Sequence, residues 1–484
     1  MSRGLVAWAV LAVLAFPAGT KAALQEDLME QAGVDLLRNE PVPSVRLAGL
    51  AAMGLAVPDE ATELDAYDFG RSISGLLEDA DGWTIDSWMS DDRLSLEQSQ
   101  RSFERNQGRS GARIVRRGAN LALGADVQWS SFESPNADWV KGKVGGPVIA
   151  GILNQRVGPA ILGVRLGLQS EEESKDSRDF FAISHSQERT IGQVGAQAGY
   201  AGLVFGGTWD FERGDIEGKS EDPARFHEDD YTWTRPVDRF GLFVLLPRRG
   251  PLEGGVRIST IDRKGSEQVK ISWSDRSPRN PSRTDFRLAA TTFEEEESDF
   301  QFATRWRFHA RPGTILGFEA GYRNRDQTVV EGVNFKGSLL RSDTSESLVS
   351  AGLGLSHRMF GDRVVAVAEG RAWTNDRDYA TDGAEATATA RWARAGLGLE
   401  FFAAPAVVLR GAVFTQSEDL DIDAPLTLNT TRGVTGGISW LPYGGLVQIH
   451  AALQYQKIDR EENAAVDVEA GDGLGFALGM RFLP

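Results

Sequence analysis

From about residue 118 to its last residue, the chain alternates apolar and polar side chains with a period of two. Between Asp299 and His309, Phe300, Phe302, Thr304, Trp306 and Phe308 fall on one side, while Asp299, Gln301, Ala303, Arg305, Arg307 and His309 fall on the other. Successive side chains of an extended backbone point to opposite faces, so such a stretch is a strand with one greasy and one wet face. The pattern returns in Leu316, Phe318, Ala320 and Tyr322 against Glu319, Arg323 and Arg325. It returns again in Val447, Ile449, Ala451, Leu453 and Tyr455 against Gln448, His450, Gln454 and Gln456. The final stretch sets Leu474, Phe476, Leu478, Met480 and Phe482 against Gly473, Gly475, Ala477, Gly479 and Arg481. Each stretch runs for about 10 to 14 residues, enough for a tilted strand to cross roughly 30 Å of hydrocarbon.

A soluble sandwich alternates too, so the spacing of turns decides between the classes. Short links fall at Val157–Pro159, Gly199–Leu203, Pro247–Pro251, Arg311–Thr314, Phe360–Arg363, Ala403–Ala406 and Pro442–Gly445. Longer, mostly acidic stretches fall between them, at Glu171–Thr190, Glu212–Pro236, Asp326–Asp343, Asn375–Ala386, Ser417–Thr431 and Asp459–Asp472. Short turns alternating with long loops are the rhythm of an antiparallel transmembrane β-barrel, with periplasmic turns at one end and surface loops at the other. One strand near Ala119–Ser131, seven hairpins and a last strand at Asp472–Phe482 give an even count of about 16, with 14 to 18 left open. The open regions are Lys264–Glu297, either two further strands or a hairpin above the membrane, and Trp83–Phe103, where alternation is brief.

Composition agrees with this class and removes others. A quarter of the residues are charged and mean hydropathy is −0.28, yet a barrel strand shows only alternate residues to lipid, so its average stays polar. The longest apolar candidate after the N-terminus, Leu47–Val57, is too short for a helical span. The 54 Gly and 12 Trp suit crowded walls and interfacial aromatics. There is no Cys, so no disulfide staples are available. The net charge of −17, with no dominant basic stripe, argues against nucleic acid. Acidic outer loops suit a surface bridged by divalent cations, and the expected partners are outer-membrane lipids and lipopolysaccharide, the barrel-assembly machinery and envelope proteins.

The N-terminus reads as an export signal over residues 1–22: Arg3 as basic n-region, Leu5–Phe16 as apolar core, and Thr20-Lys21-Ala22 as cleavage site. The expected location is therefore the outer membrane. Residues 23–82 form a second region. Leu24, Leu28, Met29, Ala32, Leu36 and Leu37 recur at helical spacing, and Pro41 and Pro43 end that helix. The small-residue run Leu47–Ala56 permits close backbone packing, as a segment tucked into a barrel mouth requires; an ordinary periplasmic lead-in is the alternative. The barrel then occupies residues 83–484.

The stretch Val45–Leu77 resembles the start of the fatty-acid-transporter-like outer-membrane family, including relatives that act as accessory barrels in secretion. The matching residues are Gly49, Met53, Gly54, Asp59, Glu60, Ala61, Gly75 and Leu76, although Arg71-Ser72-Ile73-Ser74 replaces the Asn-Pro-Ala of the family motif. The resemblance implies a hatch inside the barrel, with Gly49, Met53, Gly54, Asp59 and Gly75 as plug residues, and raises transport of hydrophobic ligands. The last strand resembles the barrel-assembly signal through Phe476, Met480 and Phe482, with Leu483-Pro484 as a departure.

No enzyme signature is present. The five histidines lie in separate segments, and no Gly-x-Ser-x-Gly elbow, Walker loop or His-Glu-x-x-His helix occurs. Asp419, Asp421 and Asp423 alternate on an acidic stretch but lack the spacing of a calcium loop. No catalytic residue, metal or cofactor is expected. The expected lumen set is Arg165, Arg257, Arg305, Arg307, Glu319, Arg323, Glu369, Arg371, Arg410, Gln448 and His450. Such groups either impose a transverse field that filters solutes or pair to stiffen a closed barrel. Two functions follow: a pore or transporter for small solutes or hydrophobic molecules, or a structural or assembly-accessory barrel without flux.

Overall fold

The structure is a computed structural model that describes residues 50, 53, 55, 56, 82–98, 101–134, 141–177, 181–222, 227–234, 236–274, 285–287, 291–333, 338–381, 384–422, 425–442, 446–462 and 468–482. The chain divides into two compact units, Met1–Ser44 and Val45–Pro484, and every described residue belongs to the second. The export signal and the helix expected at Leu24–Arg38 lie outside the described residues, as do Gly49, Gly54, Asp59 and Gly75.

The first half of the sheet comprises β1 (Gly82–Gln98), β2 (Arg101–Arg117), β3 (Leu121–Ser134), β4 (Lys141–Val157), β5 (Ala160–Ser177), β6 (Phe181–Tyr200), β7 (Leu203–Asp222), β8 (His227–Thr234), β9 (Val237–Arg249) and β10 (Leu252–Ser274). The second half comprises β11 (Asp285–Arg287), β12 (Thr291–Arg311), β13 (Thr314–Val333), β14 (Ser338–Met359), β15 (Val364–Thr381), β16 (Ala384–Ala404), β17 (Val407–Ile422), β18 (Pro425–Trp440), β19 (Val447–Glu462) and β20 (Val468–Phe482). Neighbours pair antiparallel throughout, and β1 pairs with β20 as well as β2, so the wall closes on itself. β8 and β9 both pair with β7 and with β10 and together make one stave, broken at Pro236. β11 is a three-residue piece beside the tip of β10. The wall is thus an 18-stranded antiparallel barrel.

Eighteen lies at the upper end of the expected range of 14 to 18, two above its central count of sixteen. The two additional strands are β1, which covers most of the region left open at Trp83–Phe103, and β2. They carry Asp86, Asp91, Asp92, Arg101, Arg105, Arg109 and Arg113, so the apolar alternation is faint, yet they supply the closing hairpin. The Lys264–Glu297 region resolves as a tall hairpin: Ser266–Trp273 of β10 pairs with β8 on one side, while Arg263–Val269 faces the start of β12 on the other. The long acidic stretches are another correction. Much of Glu171–Thr190 is ladder, since β5 and β6 stay paired as far as Ser177 and Phe181, and Asn375–Ala386 is paired up to Thr381 and Ala384. A ladder satisfies the backbone whatever the side chains, so polar residues do not end a strand that already has a partner.

The short links are turns at the opposite end. Arg311–Thr314 reverses the chain through Gly313 at φ 80°, and Tyr200–Leu203 through Ala201 and Gly202 at φ 52° and 81°. One face of the wall is apolar and exposed: Leu168, Leu242 and Leu353 are each more than two-thirds open (68%, 69% and 67%), and Phe300, Leu316, Phe318, Leu397 and Leu453 share that face. A girdling belt of this kind is untenable in water and natural against acyl chains. The other face turns inward and carries buried polar groups, among them Asp126, Asn154, Glu297, Asp299, Glu346 and Glu400. The protein is a transmembrane β-barrel of the outer-membrane type.

Candidate functional site

The inward face of β12 to β17 forms a seat for four residues that come from far upstream. Leu50, Leu55 and Ala56 have no exposed surface there, and Met53 has almost none. Leu50 and Met53 join Val365, Val367, Ala412 and Phe414 in one apolar cluster. A short turn, in which Met53 N donates to Leu50 O at 3.1 Å, places both side chains on the wall.

Strand parity explains the seat. On β13, β14 and β16 the inward positions that receive these residues are glycines, which leave room for another backbone. A Cβ on Gly317 would lie 2.4 Å from Leu55 O, one on Gly354 would lie 2.9 Å from Leu55 Cβ, and one on Gly398 would lie 2.7 Å from Met53 Cε. The contact at Gly317 is to backbone and has the least freedom to yield.

The wall also grips Leu55 by its main chain. Leu55 N donates to Glu369 Oε2 at 2.8 Å, and Arg307 Nε donates to Leu55 O at 2.9 Å. Charges continue the grip in both directions. Glu369 Oε1 stands 2.6 Å from Arg371 Nε, which is 3.1 Å from Glu319 Oε1, and Arg305 Nη2 donates to Glu319 Oε2 at 2.6 Å. On the other side, Arg307 Nη1 lies 3.5 Å and His309 Nε2 3.4 Å from Glu253 Oε1. Charge-assisted bonds to a backbone amide and carbonyl are stronger than neutral ones, and here they act out of contact with water.

The other residues of the expected lumen set lie elsewhere on the inward face. Arg165 meets Asp126 with two bonds of 2.8 and 3.2 Å, and Arg323 Nε is 2.7 Å from Asp299 Oδ2. Arg410 Nε donates to Glu400 Oε1 at 2.7 Å and also bonds Ser439, which in turn bonds His450. Gln448 shares the inward parity of His450 and Ala452. Arg257 has the Asp210 carboxylate as its electrostatic partner, and its guanidinium is close to the Cβ position of Gly241. Most of these arginines are therefore paired rather than bare.

Sequence reasoning placed Asp299 on the polar face but passed over the other carboxylates that complete these pairs, Asp126, Glu253, Glu297, Glu346 and Glu400. Glu297 bridges Arg263 at 2.6 Å and Arg325 at 3.0 Å, and Glu346 lies 3.1 Å from Arg377. Glu297 lies in the acidic run Glu294–Glu297 and shares the inward parity of Asp299. Extending the period-two count two residues upstream of Asp299 would have placed it. Trp373 and Trp392 face one another across β15 and β16 on the inward side, stacked with centroids 6.2 Å apart, and Arg394 stands 4.4 Å above Phe414. Among the described residues no three His, Asp or Glu side chains gather as a metal-binding group. Asp419 faces outward, 3.8 Å from Arg391.

No protein-family model and no curated protein matches the chain. Among solved structures it is similar to the unliganded ferric citrate transporter FecA, at 7% identity and TM-score 0.41 over 84% of this chain and 79% of that one. It is similar to the Pseudomonas putida toluene transporter TodX at 12% identity and TM-score 0.35, over 90% and 96% of the two chains. It is also similar to the copper transporter OprC at 10% identity and TM-score 0.42, over 84% and 81%. Likenesses this distant do not single out the fatty-acid-transporter-like family suggested by Val45–Leu77, and the class of the protein rests on its own closed wall.

Proposed function

We propose that the protein is a plugged transport barrel, in which the segment around Leu50–Ala56 obstructs the lumen and a small solute or hydrophobic molecule passes when that segment leaves its seat. The observation that carries this reading is the double grip on Leu55: one wall carboxylate takes its N–H and one wall guanidinium takes its carbonyl, over glycines that make room for it. A peptide that merely leads into a barrel needs no tailored seat inside it. The grip uses few bonds, and each is reversible at a cost of about 1.5–3 kcal/mol. In this reading the paired arginines and carboxylates stiffen the wall.

Planar-bilayer conductance of the purified protein tests the proposal. Deleting residues 24–80 is expected to turn small or rare current steps into large, sustained ones. Silence in both forms would overturn transport and leave a structural or assembly-accessory barrel.

A further inference from the structure

The lipid-facing wall carries a concavity of about 1130 Å³ that runs across the outer face from β12 to β19. It exceeds the roughly 300–1,000 Å³ of ordinary small-molecule pockets. Its floor is made where outward positions hold small residues, Ala368 and Gly370 on β15 and Ala395 on β16, and Leu355 and Leu397 flank it. Its far end is bounded by Arg432 and Tyr455.

Arg432 is an odd residue to find there. It shares the outward parity of Val434, Ile438 and Trp440, and among the described residues no carboxylate lies within ion-pair distance of it. Directly across the ladder from it stands Lys457, also outward and exposed, and Thr415 stands on its other side. Like charges directly opposed on neighbouring strands repel and destabilise the pair. Lys457 has Asp459 at 3.2 Å and Asp472 opposite it on β20, but Arg432 has no such relief. An anion between Arg432 and Lys457 would remove the repulsion.

Height and chemistry identify the anion. Arg432 lies eight residues above Trp440, at the end away from the tight turns. With a rise of about 3.3 Å per residue and a tilt near 40°, this is roughly 20 Å up an apolar band about 25 Å tall, at its outer border. A cation at the outer headgroup level, joined to an apolar trough that descends beside it, matches a phosphorylated headgroup with several acyl chains. We infer that Arg432, Lys457 and the adjoining trough bind lipopolysaccharide, with a lipid A phosphate between the two cations and acyl chains along Ala368, Gly370 and Ala395. The site lies on the outer wall and does not depend on the lumen's carrying any solute.

Native mass spectrometry of the refolded protein in detergent tests this, with lipid A, dephosphorylated lipid A and phosphatidylglycerol as probes. Lipid A is expected to be retained preferentially. Arg432→Gln with Lys457→Gln should weaken its retention roughly tenfold or more, since each basic group near an anionic surface contributes appreciably to binding. Ala368→Leu with Ala395→Leu fills the trough and keeps both charges, and should also weaken retention. The unheated gel mobility of each variant reports that the barrel is folded. Equal retention of phosphatidylglycerol, equal retention of the dephosphorylated probe, or unchanged binding by either folded variant would overturn the inference.

Discussion

Glu369 Oε2 accepts a hydrogen bond of 2.8 Å from the backbone N–H of Leu55, which lies 314 positions earlier in the chain. Arg307 completes the relation by donating to the carbonyl of the same residue. The two main-chain groups of Leu55, which no strand partner serves, are thereby satisfied inside the barrel, where an unpaired amide or carbonyl is costly. The ion pairs from Glu369 through Arg371 to Glu319 and Arg305 hold the carboxylate in place.

Glu369→Ala removes the acceptor for Leu55 and the nearest counter-charge of Arg371. A hydrogen bond to a charged group contributes about 1.5–3 kcal/mol, so the seated state should lose roughly ten- to hundredfold in population. In bilayers the expected outcome is more frequent opening at unchanged full conductance. Glu369→Gln keeps an acceptor oxygen and should fall between wild type and alanine. Opening frequencies that are the same for all three proteins would detach this contact from gating.

Gly317→Val tests the seat from the wall side. The new Cβ would lie 2.4 Å from Leu55 O, and a backbone atom cannot swing away as a side-chain tip can. Since the chain contains no cysteine, Leu55→Cys provides a single reporter thiol. With Gly317 intact the thiol should react slowly with a small maleimide, because Leu55 is fully buried. In the Gly317→Val background labelling should accelerate to the rate of an exposed cysteine. Equally slow labelling in both backgrounds would show that the segment stays in place by other contacts.

The Asp126–Arg165 pair allows a stability prediction separate from gating. Asp126 is 2% exposed, with Arg165 bonded twice and Arg113 at 4.0 Å. Breaking a buried pair leaves a desolvated charge and costs about 3–5 kcal/mol, whereas replacing both partners with apolar residues of similar size is often close to neutral. Asp126→Asn should therefore lower the urea midpoint of the folded barrel in detergent, and Asp126→Leu with Arg165→Met should recover most of the loss. A double variant as unstable as the single one would mean that the pair holds the wall together directly.

The legible part of this molecule was the part governed by parity. From Phe300 to Phe308 and from Leu474 to Phe482, alternation placed each side chain on the correct face, and the short links fell at the turns. β1 and β2 escaped because residues such as Asp86 and Arg113 are admitted on a strand whose other face alone meets lipid, and a hairpin held by closure needs little apolar signal of its own. The seat was half legible. A run of small residues at Leu47–Ala56 suggested close packing, but the glycines that receive it, Gly317 and Gly354, read like any other crowded wall positions. Pairing across strands far apart in sequence, as between Leu55 and Glu369, leaves no local pattern to read.

Leu353→Arg tests the orientation of the whole wall. Leu353 is 67% exposed on the apolar face, about six residues above the tight turn after Met359 and so near mid-height. Arginine at the bilayer midplane of a barrel costs roughly 2–4 kcal/mol, so folding into lipid vesicles should weaken by that amount. In detergent, which deforms around the charge, the loss should shrink. A variant that folds into vesicles as readily as wild type would put Leu353 in contact with water, and the assignment of this face to lipid would be wrong.

Phe482 separates recognition during assembly from stability after it. Phe476, Met480 and Phe482 lie on one face of β20, the strand that closes the barrel between β19 and β1. We expect this face to be read by the assembly machinery before closure, when the edge of β20 is still free. Phe482 sits at the last step of the ladder, opposite Val447 and Ile85, and is 37% exposed, so its loss removes little packing from the finished wall. Phe482→Ala should refold from urea into detergent with nearly the wild-type yield and midpoint. In cells the same change should lower the amount inserted in the membrane several-fold, with the remainder degraded or retained in the periplasm. A parallel fall in both measurements would assign Phe482 to stability alone, and wild-type insertion in cells would remove it from recognition.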